Sequence, residues 1–216
     1  MNRTLLTGLV CTLTVMACRP QRGPAQYPEI TPYIDTASPL LLGFTPYTPA
    51  VQRLSLGAFY EGEATEVVPI DSTTTHLYIY ENTFSTSVSD DRVEGLQSTV
   101  GTVGNVGWWG GGIHWDSPRD VSNYNTLHLA LKSSDPSAEA LEVGMGGGGV
   151  EARVLVSDYG FVADGEWHAI RVPTADLVAL GVDLASVGVA IQFIGSGENP
   201  GSETFIDDVY LTEAAP

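Results

Sequence analysis

Residues 104–115, which read GNVGWWGGGIHW, hold the side chains best suited to contact a ligand. Three tryptophans and one histidine stand among glycines in these twelve positions. Successive side chains of a strand point to opposite faces, so Trp109 and Trp115 would share one face and Trp108 would lie on the other. A bulge in the glycine run would change this alternation. The stretch is therefore either a binding surface or a packed strand that follows a turn.

The sequence shows no residue spacing typical of a catalytic site. No G-x-S-x-G nucleophile elbow is present. The histidines do not have the spacing of the H-E-x-x-H zinc motif; they are His76, His114, His128 and His168. We therefore expect a protein that is not an enzyme.

The first 17 residues have the pattern of a secretory signal peptide. Arg3 precedes a run of small and apolar residues that is shorter than the roughly 20 residues of a membrane-spanning helix. The run ends in Val15-Met16-Ala17-Cys18, which resembles the lipobox of bacterial lipoproteins. This resemblance implies lipidation of Cys18, while Cys11, the other cysteine, would leave with the signal peptide. The alternative is ordinary cleavage that leaves Cys18 as a free thiol.

Charge and export together limit the possible partners. The formal net charge is −17, and it becomes −18 when Arg3 leaves with residues 1–17. Such a charge repels phosphate backbones, so we do not expect a nucleic-acid partner. The lipidation motif instead predicts a membrane partner, reached through the lipid anchor. We expect the protein in the bacterial cell envelope, at the outer membrane.

Composition divides the chain into a signal peptide (1–17), a tether (18–50) and one domain (51–213). Seven of the 13 prolines lie in the tether, which is expected to be extended because proline cannot donate to a strand ladder. The domain alternates short apolar runs with Gly, Asp, Ser and Asn clusters, and only Pro173–Leu180 reads as a short helical turn. This pattern predicts an all-β, two-sheet antiparallel β-sandwich. The predicted strands are Arg53–Gly57, Thr65–Ile70, His76–Tyr80, Gly112–Trp115, Thr126–Lys132, Ala140–Met145, Val150–Val156, Trp167–Val172, Val187–Ile194 and Thr204–Leu211.

Four segments resemble the jelly-roll, galactose-binding-like carbohydrate-binding modules attached to bacterial glycoside hydrolases. They are Trp109–Trp115 (WGGGIHW), Asp120–Leu127 (DVSNYNTL), Asp164–Pro173 (DGEWHAIRVP) and Phe205–Leu211 (FIDDVYL). The resemblance covers His76 to Leu211. It implies a jelly-roll fold and a polysaccharide or surface glycan as partner.

Sugar binding of this kind needs exposed aromatic rings, because the apolar face of a pyranose stacks on an indole or phenol ring. One side of a sandwich strand faces the core, so we expect the tryptophans of residues 104–115 to divide between core and surface. The candidate contact residues are Trp108, Trp109, Trp115, Tyr124 and Tyr159.

The same resemblance implies a structural Ca²⁺ that ties the last strand to an early one. Calcium is a hard cation that binds carboxylate and carbonyl oxygens. The candidate ligands are Glu81, Asn82, Asp207 and Asp208. In the alternative without calcium, one aspartate faces solvent and the other holds a loop.

Together these features predict a non-catalytic cell-envelope lipoprotein whose jelly roll binds glycan at the cell surface. The alternative is a structural or assembly subunit of a surface protein complex. In that case the sandwich docks another protein and the tryptophans are buried.

Overall fold

The computed structural model describes residues 51–56, 59 and 64–213. The predicted signal peptide, the tether and the lipidation site Cys18 lie outside these residues. Within these residues, twelve strands form two sheets, which confirms the predicted β-sandwich. One α-helix, α1 (Thr174–Ala179), lies in the described part of the chain, within the predicted helical turn. No helix among these residues has the length and apolar character needed to span a bilayer.

The strands are numbered in chain order. They are β1 (Arg53–Ser55), β2 (Glu66–Val67), β3 (Thr75–Ile79), β4 (Phe84–Ser89), β5 (Ser98–Val103), β6 (Trp108–Arg119), β7 (Thr126–Lys132), β8 (Glu142–Gly147), β9 (Val150–Leu155), β10 (His168–Pro173), β11 (Val187–Ser196) and β12 (Glu203–Thr212).

The seven-stranded sheet is organised around β12. Strand β7 runs along one side of β12, and β10 lies beyond β7. On the other side, the first half of β12 pairs with β5 and the second half pairs with β1. Strands β4 and β2 extend the sheet beyond β5 and β1. All of these pairings are antiparallel except β1 with β2, which is parallel and so departs from the predicted antiparallel arrangement.

The five-stranded sheet has the order β3-β6-β11-β8-β9, and all its pairings are antiparallel. Alternate residues of its strands enter the core between the sheets, as the period of two requires. On β6 these are Trp109, Ile113 and Trp115, which are at most 6% exposed. They meet Leu127, Leu129 and other apolar residues of the seven-stranded sheet in one continuous core.

Strands β4 and β5 were not predicted from the sequence. Their sequences, FSTSVS and STVGTV, are rich in serine and threonine, which are also common in turns. The two strands pair with each other, and β5 also pairs with β12. Their strand conformation therefore depends on partners far away in the sequence, which local composition does not show.

Candidate functional site

Five rings lie on the outer face of the five-stranded sheet, the face that points away from the core. We call this surface the aromatic face; its rings are His76, Tyr78, Tyr80, Trp108 and His114. The register of β3 and β6 pairs core residues with core residues, such as Leu77 with Ile113, and outer residues with outer residues, such as His76 with His114. His76, Tyr78 and His114 therefore project from the same edge of the sheet. Tyr80 directly follows β3, and strand alternation places Trp108 on the same face of β6.

Glycines form the floor of the aromatic face. A Cβ atom added to Gly112 would lie 2.9 Å from the hydroxyl of Tyr80, so the Tyr80 side chain extends across β6 at this point. A Cβ atom on Gly110 would lie 3.0 Å from the Trp108 ring and 2.6 Å from the Ile194 side chain. Only a residue without a side chain leaves room for these groups to lie close to the strand.

Contacts among the rings hold their orientation. The Tyr80 hydroxyl and His114 Nε2 are hydrogen-bonded at 2.7 Å. The Tyr78 ring meets the His114 ring edge to face at a centroid distance of 5.0 Å. His76 Nε2 is 3.0 Å from the Asp116 carboxylate, which fixes the fourth ring. An aromatic surface that is held in this way loses little conformational entropy when a ligand stacks on it.

Burial keeps both members of the Tyr80–His114 pair uncharged. It lowers the pKa of His114, and the nearby Glu151 carboxylate opposes this effect only in part. Burial also raises the pKa of Tyr80 to about 12. At neutral pH the pair is therefore a neutral phenol bonded to a neutral imidazole.

Polar side chains occupy the other side of the same sheet face. Across the sheet, Gln192 on β11 pairs with Gly112 of β6 on one side and with Gly144 of β8 on the other. Gly144 in turn pairs with Arg153 on β9. The Arg153 guanidinium donates to the Glu142 carboxylate at 3.0 Å and to the Gln192 side-chain oxygen at 3.4 Å. A sugar has apolar ring faces and polar edges. The aromatic rings on one side of this surface can stack on its ring faces, and the polar groups on the other side can hydrogen-bond to its hydroxyl groups.

The amide nitrogen of Gln192 adds a further feature to the floor. The side chain is 1% exposed, and among the described residues this nitrogen has no hydrogen-bond partner. A buried donor without a partner costs about 1–3 kcal/mol. An acceptor oxygen that reached the floor would recover part of this free energy.

The structure places the five predicted contact residues in different surroundings. Trp108 is half-buried and lies on the aromatic face. Trp109, Trp115 and Tyr124 are 3–6% exposed and belong to the core, so the prediction that they contact a glycan is corrected. The two tryptophans share the inner face of β6 through strand alternation, and Tyr124 turns inward between β6 and β7. Tyr159 lies beyond β9, where its hydroxyl donates to Asp176 of α1 at 2.7 Å, away from the aromatic face.

Most of the aromatic face was not predicted from the sequence. His76, Tyr78 and Tyr80 alternate along THLYIY, and this period of two was a signal that three rings share one side of a strand. Gln192 and Arg153 had no such signal, because only the strand order β6-β11-β8-β9 brings them beside the rings.

The predicted calcium ligands are not brought together. Glu81 and Asn82 precede β4 at its Phe84 end, whereas Asp207 lies level with Ser98, the partner of the last residue of β4. Five residue steps of a strand separate these ends, about 17 Å. Among the described residues, no group of three or more His, Cys, Asp and Glu side chains could hold a metal ion. The residues therefore do not fit the implied calcium site.

Asp207 instead holds a loop. Its carboxylate accepts hydrogen bonds from the backbone N–H groups of Val93 (2.7 Å), Glu94 (3.2 Å) and Asp208 (2.8 Å). This matches the loop-holding role weighed for one aspartate. Asp208 does not face solvent, however, because it is only 7% exposed. Burial, followed by the charge of Asp207, raises the pKa of Asp208 well above its ordinary value.

A sandwich with an ordered aromatic face is an architecture found in carbohydrate-binding modules. The model of the family "carbohydrate binding domain 30" matches residues 54–213. The chain belongs to this family, as the predicted resemblance to carbohydrate-binding modules had indicated.

Several solved structures are similar to this chain. A family 30 carbohydrate-binding module is 20% identical, with a TM-score of 0.50 over 65% of this chain and 81% of that one. A family 30 module of a cellulosomal cellulase of Clostridium thermocellum is also 20% identical, with a TM-score of 0.48 over 62% of this chain and 84% of that one. An exo-β-agarase is 12% identical, with a TM-score of 0.50 over 69% of this chain but 24% of its own. No curated protein matches this chain.

Proposed function

We propose that this protein binds a polysaccharide through the aromatic face and does so without catalysis. One observation carries the proposal: Tyr78, Tyr80 and Trp108 lie on the same face of the sheet over the glycines of β6, and His114 contacts both tyrosines. Membership of a family of binding modules supports the same function. Stacking on the rings supplies affinity, and the Gln192–Arg153 side supplies hydrogen bonds to hydroxyl groups.

The charges on this face favour a neutral glycan. Arg153 is engaged by Glu142, and Glu151 is a second carboxylate on the same surface. The protein as a whole carries a net charge of −17. Carboxylated or sulfated polysaccharides are therefore repelled, while uncharged ones are not.

The N-terminal sequence supports the cell surface as the location where the protein binds glycan. A signal peptide over residues 1–17 that is cleaved before Cys18 would lead to export and to lipidation of Cys18. The module would then present the aromatic face to glycan at the outer membrane. Binding at the surface needs no catalytic domain on the same chain.

Retention on insoluble cellulose, insoluble mixed-linked β-glucan and agarose tests the proposal. Trp108→Ala and Tyr78→Ala should each weaken retention on the bound polymer by about tenfold or more, because each removes a stacking ring. Tyr159→Ala is the matched control: this ring is also half-buried but lies away from the aromatic face. It should leave retention unchanged.

The outcomes separate the two functions considered for this chain. Loss of retention in both aromatic-face variants, with an unchanged circular dichroism spectrum, supports glycan binding. A folded wild-type protein that none of the polymers retains would overturn the proposal and favour the assembly role. Release of soluble sugar during incubation would contradict the non-catalytic part.

A further inference from the structure

A second concave site lies on the other sheet of the sandwich. It is a cavity of about 410 Å³ at the end of β7 and the start of β12, bordered by the loops around Gly165 and Gly201. Pockets for small ligands typically measure roughly 300–1,000 Å³. The cavity therefore has room for one or two sugar rings but not for a length of polymer. Because β7 and β12 belong to the seven-stranded sheet, the core separates this cavity from the aromatic face.

An aromatic wall borders the cavity. Phe205 lines it and is half-buried, and the Trp167 ring meets Phe205 edge to face at a centroid distance of 6.2 Å. The Trp167 indole N–H donates to the Asp91 carboxylate at 2.8 Å, and Lys132 donates to the same carboxylate at 2.7 Å. The Phe205 ring therefore packs beside the Trp167 ring, with the Lys132–Asp91 ion pair nearby.

Hydrogen bonds also hold the Asp135 side of the cavity. The Asp135 carboxylate accepts hydrogen bonds from the Ser137 N–H (3.0 Å), the Ser137 hydroxyl (2.7 Å) and the Asn199 amide (2.7 Å). Ser133 ties the end of β7 to β12 by donating to the Glu203 carbonyl at 2.8 Å. Gly165 and Gly201 have φ of +84° and +85°, so both turns present bare backbone to the cavity.

Some polar groups at the cavity remain available to a ligand. Within the described part of the chain, the Glu203 carboxylate and the Ser134 hydroxyl have no hydrogen-bond partner, and both residues are exposed. The Lys132 ammonium has three N–H donors and uses one on Asp91. A phenyl ring, a carboxylate acceptor, a hydroxyl and an ammonium donor therefore line one small cavity. Vicinal hydroxyl groups on a pyranose match such a mixture of donors and acceptors.

We propose that this cavity is a second, independent glycan site that takes one or two neutral sugar rings. The sugar stacks against Phe205 while its hydroxyl groups bond to Glu203, Ser134 and Lys132. Two carboxylates, Asp135 and Glu203, line the cavity, and Lys132 is already paired with Asp91, so anionic sugars are disfavoured. A module with two such sites holds a polymer on one sheet and a chain end or branch on the other.

An NMR titration of the purified full-length protein tests the site. The probes are methyl β-glucoside, methyl β-galactoside and cellobiose, each added separately, and the protein carries Trp108→Ala to weaken the aromatic face. We expect at least one probe to shift the amide resonances of Gly165 and Gly201 in a saturable way. Glu203→Gln and Ser134→Trp should each weaken this binding by about tenfold, the first by removing charge from the acceptor and the second by filling the cavity. Glu198→Gln, an exposed control in the loop before β12, should leave it unchanged.

Each result supports or overturns the glycan site in the cavity, and it does not test glycan binding at the aromatic face. Saturable shifts at Gly165 and Gly201 that both cavity variants weaken support it. Shifts confined to Gly110 and Gly112, or no shift with any probe at saturating concentration, overturn it. Loss of polymer retention in Trp108→Ala and Tyr78→Ala, which leave the cavity residues unchanged, reports on the aromatic face.

Discussion

Asp208 shows how one buried carboxyl group can set the pH dependence of this fold. It occupies a bulge of β12 with φ of +54°, and burial raises its pKa well above the ordinary value of 3.8. A carboxyl group whose pKa is raised by folding stabilises the folded state fully below pH 3.8. That contribution is lost as the pH rises through the raised pKa.

Asp208→Asn should therefore be more stable than the wild type at neutral pH. Asparagine tolerates positive φ and stays uncharged, so the free energy of unfolding should rise by about 1–2 kcal/mol at pH 7. The difference should shrink towards zero as the pH falls below 4. Urea unfolding across this pH range measures it, with Asp90→Asn as an exposed control. A variant that is less stable than the wild type at pH 7 would contradict this account and show an ionised, well-paired Asp208.

At the scale of a single element, strand β6 can support the aromatic rings because its glycines leave room for them. A Cβ atom at Gly112 would lie 2.5 Å from the Ile191 carbonyl oxygen and 2.9 Å from the Tyr80 hydroxyl. Backbone cannot move as a flexible side chain can, so this position excludes even a methyl group. Gly107, five residues earlier in the same stretch, has no heavy atom within 4 Å of such a Cβ.

Gly112→Ala should therefore be destabilised by about 1–3 kcal/mol, a typical cost of overpacking. It should also displace Tyr80 and weaken retention on polysaccharide. Gly107→Ala makes the same chemical change where there is space, and it should alter neither property. Thermal unfolding and polymer retention of the two variants provide the measurement. Equal behaviour of the pair would show that the glycine floor does not hold the aromatic face.

The length of strand β4 keeps the four predicted calcium ligands from forming one site. It holds Glu81 and Asn82 apart from Asp207 and Asp208 by about five residue steps, roughly 17 Å. We expect the melting temperature to be the same with excess chelator and with millimolar Ca²⁺. A rise of several degrees on adding Ca²⁺ would reveal a site that these four residues do not form.

At the scale of the whole molecule, the predicted lipid anchor concerns the N-terminus, outside the described residues. Cys18→Ser should abolish metabolic labelling with radioactive palmitate and release the protein from the membrane fraction, because lipidation requires the thiol. The β-sandwich should be unaffected, so retention on polysaccharide should persist. Labelling that survives the substitution would contradict a lipid anchor at Cys18.

Much of the sandwich was predictable because its strands carry their own pattern. Thr126–Lys132 was predicted with the bounds that the structure has, since LHLAL alternates clearly along one strand. Strands β4 and β5 were not predicted, since serine and threonine leave no contrast between their two faces. Of the predicted contact residues, only Trp108 lies on the aromatic face. Tyr78 and Tyr80 lie there too but were not predicted.

The stretch GNVGWWGGGIHW shows which features the sequence determines and which depend on the tertiary structure. By itself the sequence determined that Trp109 and Trp115 lie on one side of a strand and Trp108 on the other, because side chains alternate along an extended backbone. Only the tertiary structure decided that the side of Trp108 is the outer one, because this depends on which face the seven-stranded sheet covers. It also decided which groups share this face with Trp108, because strands distant in the sequence bring Tyr78, Tyr80 and Gln192 beside β6.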